Sequence, residues 1–262
     1  MQMMSMKRCF EKSQSDVNPQ KKQRVTPRPP ERFRGPGSQA KAFDYVNTHD
    51  GIVIGRDDGP AKQYYVCQDW GHVYDFVFSQ PKKQQNFYEL IREHAPAKLV
   101  IDLDLEPKHL ELGESLHETM DAIQAETIRV TLEKLAEAGV PLSKDDVQVY
   151  HSDGPKKGSR HLLFSAWFPN LKLSVKAFAL QHLLPFLGKR GFDMSIYTKN
   201  RLMRFFGNTK TGSNRCLHIK GRPLEPGTDE HRAAFMKSRV AEPPPDDFQL
   251  LDERVHFFWR VI

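Results

Sequence analysis

Three cysteines in 262 residues, Cys9, Cys67 and Cys216, are too few and too scattered to build a disulfide framework. The chain is therefore expected in a reducing, intracellular compartment. No CxxC, HExxH or clustered Cys/His pattern occurs, so no zinc is expected within the chain. Long apolar runs are missing as well. The longest nearly uncharged stretch, 177–188, has twelve residues and includes Gln181, His182 and Pro185, well short of the ~20 apolar residues of a membrane helix. No membrane partner is expected, and residues 1–10 lack the apolar centre of a secretory signal. No internal repeat is present, which excludes a solenoid.

What is present is length for a sizeable core, with 39% hydrophobic residues, and a net charge of +6 that is unevenly spread. Residues 1–37 hold nine Lys/Arg, three Asp/Glu and five of the eighteen prolines, the composition of a disordered basic tail. The remainder balances at 30 basic against 30 acidic side chains. Within it, 101–146 carries twelve acids and four bases, whereas 151–222 carries fourteen bases and two acids, Asp153 and Asp193. One region of the domain is thus expected to be positive and suited to a polyanion. Two solvated faces that cancel would read the same in composition.

Local patterns place helices at 40–46, 114–138 and 175–187. Strands fall at 52–54, 63–66, 87–91, 98–105, 147–150, 160–168 and 202–206, while 73–78 fits either state. The helix at 114–138 follows from Leu116, Met120, Ile123, Thr127 and Val130 at spacings of four and three, closed by Gly139-Val140-Pro141. Strands mixed with helices without repeats indicate an α+β or α/β domain. Past the prolines at 243–245, Phe257, Phe258 and Trp259 are expected to pack on a core.

Three segments break their own patterns. The apolar run KLVIDLDL at 98–105 carries Asp102 and Asp104, which alternation puts on one face about 7 Å apart. Paired carboxylates on one rigid strand repel unless a cation neutralises them, and oxygen ligands suit Mg²⁺ or Mn²⁺; a solvated strand end is the plain alternative. Next, HSDGPKKGSRHLLF at 151–164 brings Lys157, Ser159 and His161 to one face, a set able to hold phosphate oxygens. An ordinary hairpin turn with a hydrogen-bonded histidine explains the same residues. Third, Asp193 is the only acid between 154 and 222 and should stay ionised among cations. After it Arg204, Asn208 and Lys210 share parity, whereas Arg201 reaches their face only if it lies before the strand begins.

Taken together, D-x-D, S-x-H and a lone Asp followed by YTKNRLMR and a later lysine resemble the archaeo-eukaryotic primase superfamily. The likeness is to its primase-polymerase branch in eukaryotes and large DNA viruses, over residues 39–222. The resemblance implies an α+β primase catalytic core, mixed β-sheets flanked by helices with an RRM-like catalytic half. Beyond the basic tail at 1–37 that composition indicates, this gives a catalytic domain at 38–262, with an N-terminal α/β lobe at about 38–95, a catalytic lobe at about 96–222 and an extension at 223–262.

For the site, the resemblance implies Asp102, Asp104 and Asp193 as catalytic carboxylates holding two Mg²⁺ or Mn²⁺ ions. Ser159, His161 and Lys157 would hold the triphosphate, joined by Arg201, Arg204 and Lys210. Tyr88 would lie near the nucleotide sugar, Lys62 in a further nucleotide-contact loop, and Arg160, Lys199 and Arg215 along nucleic acid. The implied activity is template-directed nucleotidyl transfer to a 3′ hydroxyl, as a DNA primase or polymerase in replication or damage tolerance. Single-stranded template, primer and dNTP or rNTP are the implied partners, with a helicase or single-strand-binding protein alongside. The nucleus, the mitochondrion or a site of viral replication is the implied place. Asp104 stands where some relatives have Glu, and no zinc module follows. A silent or partner-dependent single-stranded nucleic-acid-binding module is the rival from another class, and a metal-dependent nuclease the enzymatic one.

Overall fold

The computed structural model describes residues 28–59 and 61–241. It opens on a short strand, β1 (Glu31–Phe33), followed by helix α1 (Ser38–Thr48). Part of the expected 1–37 tail is therefore ordered. β1 pairs with β3, and Arg32 donates from Nε to Gln63 Oε1 at 2.9 Å. The rest of the tail, at 1–27, lies outside the described residues, as do the three aromatics at 257–259 and most of the expected extension.

β2 (Ile52–Asp58) and β3 (Ala61–Cys67) form a hairpin with Asp58 opposite Ala61. Gly59 turns it with φ +65°, a conformation open to glycine at little cost. The ambiguous run at 73–78 is helical, within α2 (Trp70–Ser79). Asp69 caps it by accepting from His72 N at 2.7 Å, and Val73, Tyr74 and Val77 form its buried stripe. β4 (Phe87–Ile91) then lies beside β2.

β5 (Ala97–Leu105) begins a second sheet, and helix α3 (Leu116–Glu137) crosses over to β6 (Val147–His151) and β7 (Gly158–Phe168). The expected helix at 175–187 is broken into wide π-type turns, Leu171–Val175 and Ala179–Leu183, interleaved with α4 (Lys176–Phe178) and α5 (Leu184–Leu187). β8 (Arg201–Arg204) and α6 (Asp229–Lys237) complete the described elements. β8 stops short of the expected 202–206 because the chain turns at Gly207, φ +78°.

The architecture is α+β, two sheets flanked by helices, ordered β1-β3-β2-β4-β8 and β5-β7-β6. Every ladder among the described residues is antiparallel, so the sheets seen there are not mixed. Hairpins and returning strands make this the natural outcome, since parallel pairs need a helical crossover between neighbours. A boundary between 95 and 96 does not separate the sheets either, because β8 returns to pair with β4, Tyr88 opposite Arg204. The larger hydrophobic core runs beneath both sheets, with Leu99, Ile101, Leu103 and Leu105 fully buried, and a smaller cluster gathers Ala42, Val53, Tyr64, Val66 and Leu90; burying each of the four β5 side chains stabilises by about 1.5–3 kcal/mol.

Val240 clasps the seam. Its carbonyl accepts from Lys98 N on β5 at 2.9 Å, and its own N–H and that of Ala241 donate to the two carboxylate oxygens of buried Glu89 on β4, both at 2.8 Å. Among the described residues no helix is long and apolar enough to cross a membrane.

Candidate functional site

On the β5–β7 ladder Asp102 stands opposite His161, and Asp104 opposite Ser159. On the other edge of β5, Phe192 bridges to Leu103, Asp104 N donates to Gly191 O at 2.7 Å and Asp193 N to Asp102 O at 2.9 Å. This pairing carries the lone acid of the basic half to the two acids of β5. One carboxylate oxygen from each of Asp102, Asp104 and Asp193 lies within 4.8 Å of the others, and no other such group of His, Cys, Asp or Glu occurs among the described residues.

The cluster is electrostatically unsatisfied. Burial, then the neighbouring charges of Asp104 and Asp193, push the Asp102 carboxyl up to about 7. Asp104 goes the other way: its burial is outweighed by hydrogen bonds from Lys157 and Ser159, which hold its carboxyl below the usual range. Lys157 Nζ sits 2.7 Å from Asp104 Oδ2. The Oδ1 atoms of both Asp102 and Asp104 are buried without a hydrogen-bond partner. Orphaned, converging carboxylate oxygens fit a hard divalent cation, so the triad is a site that could bind a metal ion.

Beside the triad opens a cavity of about 470 Å³. Asp102 and His161 line it from the β5–β7 ladder; Lys62, Tyr88, Arg201 and Arg204 come from the other sheet, and Lys210 from the loop after β8. Burial, then Arg204 with Lys210 and Arg201 nearby, drives the His161 imidazole down to about 3, so the ring is neutral and carries a single N–H. Its Nε2 is 3.6 Å from Asp102 Oδ1, beyond a hydrogen bond. Arg204 and Lys210 are each shifted down by their own burial. The Nε of Arg201 and of Arg204 are buried and unpartnered as well. Arg201 lines the cavity although it lies inside β8, paired with Ile91, and not before the strand as its parity requires; its Nη1 donates to Ser195 O at 3.2 Å.

Several expected residues lie elsewhere. Arg160 is not at a nucleic-acid surface. Lying between Ser159 and His161, it projects from the opposite face of β7, fully buried, bonded to Asp121 at 2.6 Å, Asp153 at 3.1 Å and Gln124 at 2.8 Å. Asn208 also leaves the cavity, because the turn after β8 buries it where it accepts from Phe87 N at 3.1 Å. Lys157 and Ser159 stand on the Asp104 side rather than on the cavity wall. Lys199 is exposed and paired with Glu93 at 2.7 Å. Arg215 is partly exposed, donating to Ser152 O at 3.3 Å while its carbonyl accepts from Arg204 Nη1 at 3.1 Å.

The cavity also has residues that sequence reasoning missed. Asp57 accepts from the Tyr88 hydroxyl at 2.5 Å and so fixes that ring in the wall; Gln39 donates to the Tyr64 hydroxyl at 3.1 Å. In the sequence Asp57 belongs to a turn-forming run, and nothing there links it to Tyr88. Compared with protein-family models and with curated proteins, the chain matches none.

Proposed function

We propose that this chain is a template-directed nucleotidyltransferase, a primase-polymerase that adds nucleotides to a 3′ hydroxyl. The observation that carries the reading is one juxtaposition: three converging carboxylates abut a cavity walled by Lys62, Arg201, Arg204 and Lys210. Metal-binding acids beside a cationic cavity of nucleotide size fit a triphosphate substrate. A phosphodiester-cleaving nuclease has no use for the second half of that arrangement. The fold is also in keeping with a primase core. The order 191–193, β5, β7, β6, with helices joining β5 to β6 and β7 to 191–193, is the βαββαβ connectivity an RRM-like half requires.

Asp102, Asp104 and Asp193 are the residues that would hold Mg²⁺ or Mn²⁺, whose chemistry when bound is to acidify the attacking hydroxyl and offset phosphate charge. Arg201, Arg204 and Lys210 bind phosphate oxygens by charge-assisted hydrogen bonds, and their partial desolvation strengthens each one. Neutral His161 donates its one N–H to a phosphate oxygen in the cavity. Tyr88, latched by Asp57, walls the side where Lys62 Nζ lies 5.9 Å from its ring centre. Catalysis is then mostly alignment and electrostatics.

The test is incorporation of labelled dNTP or rNTP on a primed template with Mn²⁺ or Mg²⁺. Template binding without incorporation would favour the silent binding module. Within the active enzyme, Arg204→Ala and Lys210→Ala are expected to raise the nucleotide KM roughly ten- to hundredfold, from about 1.5–3 kcal/mol per charged hydrogen bond. Template affinity should change far less. Variants that bind nucleotide normally and lose only template affinity would refute the assignment of the cavity.

A further inference from the structure

Lys157 is the one cation of the expected triphosphate set that touches a carboxylate of the triad instead of lining the cavity. Its backbone cannot be what moves. Lys157 and Gly154 bond to each other at 2.8 and 3.2 Å across the turn, Asp153 Oδ1 accepts from Ser159 N at 2.8 Å, and a side chain on Gly158 would meet Met120 at 3.0 Å. The turn is thus held from three sides, while the lysine stem is long, flexible and a quarter exposed. Only Oδ2 of Asp104 is engaged; Oδ1 is buried and open.

The geometry points to Lys157 as an internal counter-ion of the carboxylate cluster. It neutralises Asp104 while the cavity is empty, opposes divalent cation there, and gives up the carboxylate when cation and nucleotide phosphates arrive together. This deepens the proposed function and rests on it. The physical reason is that a monovalent cation on a ligand oxygen both reduces the charge offered to a metal and repels it. Phosphates in the adjoining cavity offer the ammonium a new anion, so cation uptake becomes coupled to nucleotide uptake, and the coupling must be reciprocal.

The experiment is Mn²⁺ binding to the full chain without nucleotide, read by the EPR signal of free Mn²⁺. Lys157→Met and Lys157→Gln are both expected to bind Mn²⁺ at least about tenfold more tightly than wild type, and Lys157→Arg to stay near it, from Coulomb repulsion even in a water-like dielectric. A purely structural ion pair gives the opposite sign, because loosening Asp104 weakens the metal. Asp193→Ala is the control. Where it abolishes Mn²⁺ binding but the Met and Gln variants bind no more tightly than wild type, the counter-ion role fails and the metal centre stands. If wild type and Asp193→Ala are alike in binding no Mn²⁺, both readings fall. A check on unmutated protein is acylation of Lys157 measured by mass spectrometry. Saturating Mn²⁺, which competes with the ammonium for Asp104 even without phosphates, should raise its labelling several-fold, and unchanged labelling overturns the counter-ion role.

Discussion

Asp102→Asn, Asp104→Asn and Asp193→Asn are each expected to abolish nucleotide incorporation, by more than roughly a thousandfold, because a lost metal ligand removes several kcal/mol of charge stabilisation. Their effects on the metal-free fold should differ in sign. Asp102 has its carboxyl raised to about 7 by burial and then by Asp104 and Asp193, against an ordinary value of about 4. Its ionisation therefore opposes folding. Wild-type stability contributed by this group is full below about pH 4 and is lost as pH rises toward 7. Asp102→Asn should melt like wild type near pH 4 and higher than it at pH 8, by at most a few kcal/mol, in the presence of EDTA. Asp104 is held low by Lys157, so Asp104→Asn should lower the melting temperature at neutral pH. Paired melts and primer-extension assays decide the matter: three acids that stay dispensable for activity, or that lose it only in step with unfolding, are structural, and the polymerase reading fails.

Arg160→Ala should be the most destabilising single change described here. The guanidinium is fully buried and holds Asp153, Asp121 and Gln124; removing one partner of a buried ion pair typically costs about 3–5 kcal/mol. Asp153 is itself partly desolvated, yet hydrogen bonds from His151, Ser159 N and Arg160 keep its carboxyl well below the ordinary range. The stability that Asp153 contributes is therefore present above about pH 4 and lost as pH falls below it, and Arg160→Ala should blunt that acid transition. Denaturant unfolding at pH 7 and pH 3 measures both effects. A variant that folds like wild type and loses only template affinity would return Arg160 to the nucleic-acid surface.

The same arginine shows how much the sequence carries. Alternation along 157–161 puts Lys157, Ser159 and His161 on one face, and the same rule sends Arg160 to the other; only the packing of α3 on that face turns it into a buried cation. The spacing of Leu116, Met120, Ile123, Thr127 and Val130 predicts α3 because a long amphipathic helix is a local pattern; Ile123 is half-buried and the other four are buried. The two acids of β5 are legible for the same reason. Asp193 reaches them through one bridge at Phe192 that no periodicity encodes. The sequence pattern extends β8 through Phe206, but the turn at Gly207 and burial of Asn208 against Phe87 end it earlier, a tertiary contact between residues far apart in the chain. The Asp57–Tyr88 hydrogen bond and the place of Lys157 on Asp104 are equally non-local.

The return of β8 to β4 also bears on how the chain is made. Ile91 waits for Arg201, about 110 residues further on, before that side of its strand is paired. At ribosomal speeds of about 5–20 residues per second, the nascent N-terminal sheet spends on the order of ten seconds with an open, largely apolar edge. Such an edge is a template for pairing with other chains. Slow synthesis or a stall before residue 204 should thus favour aggregation on the ribosome, and the N-terminal half expressed alone should be insoluble where the complete fold is not.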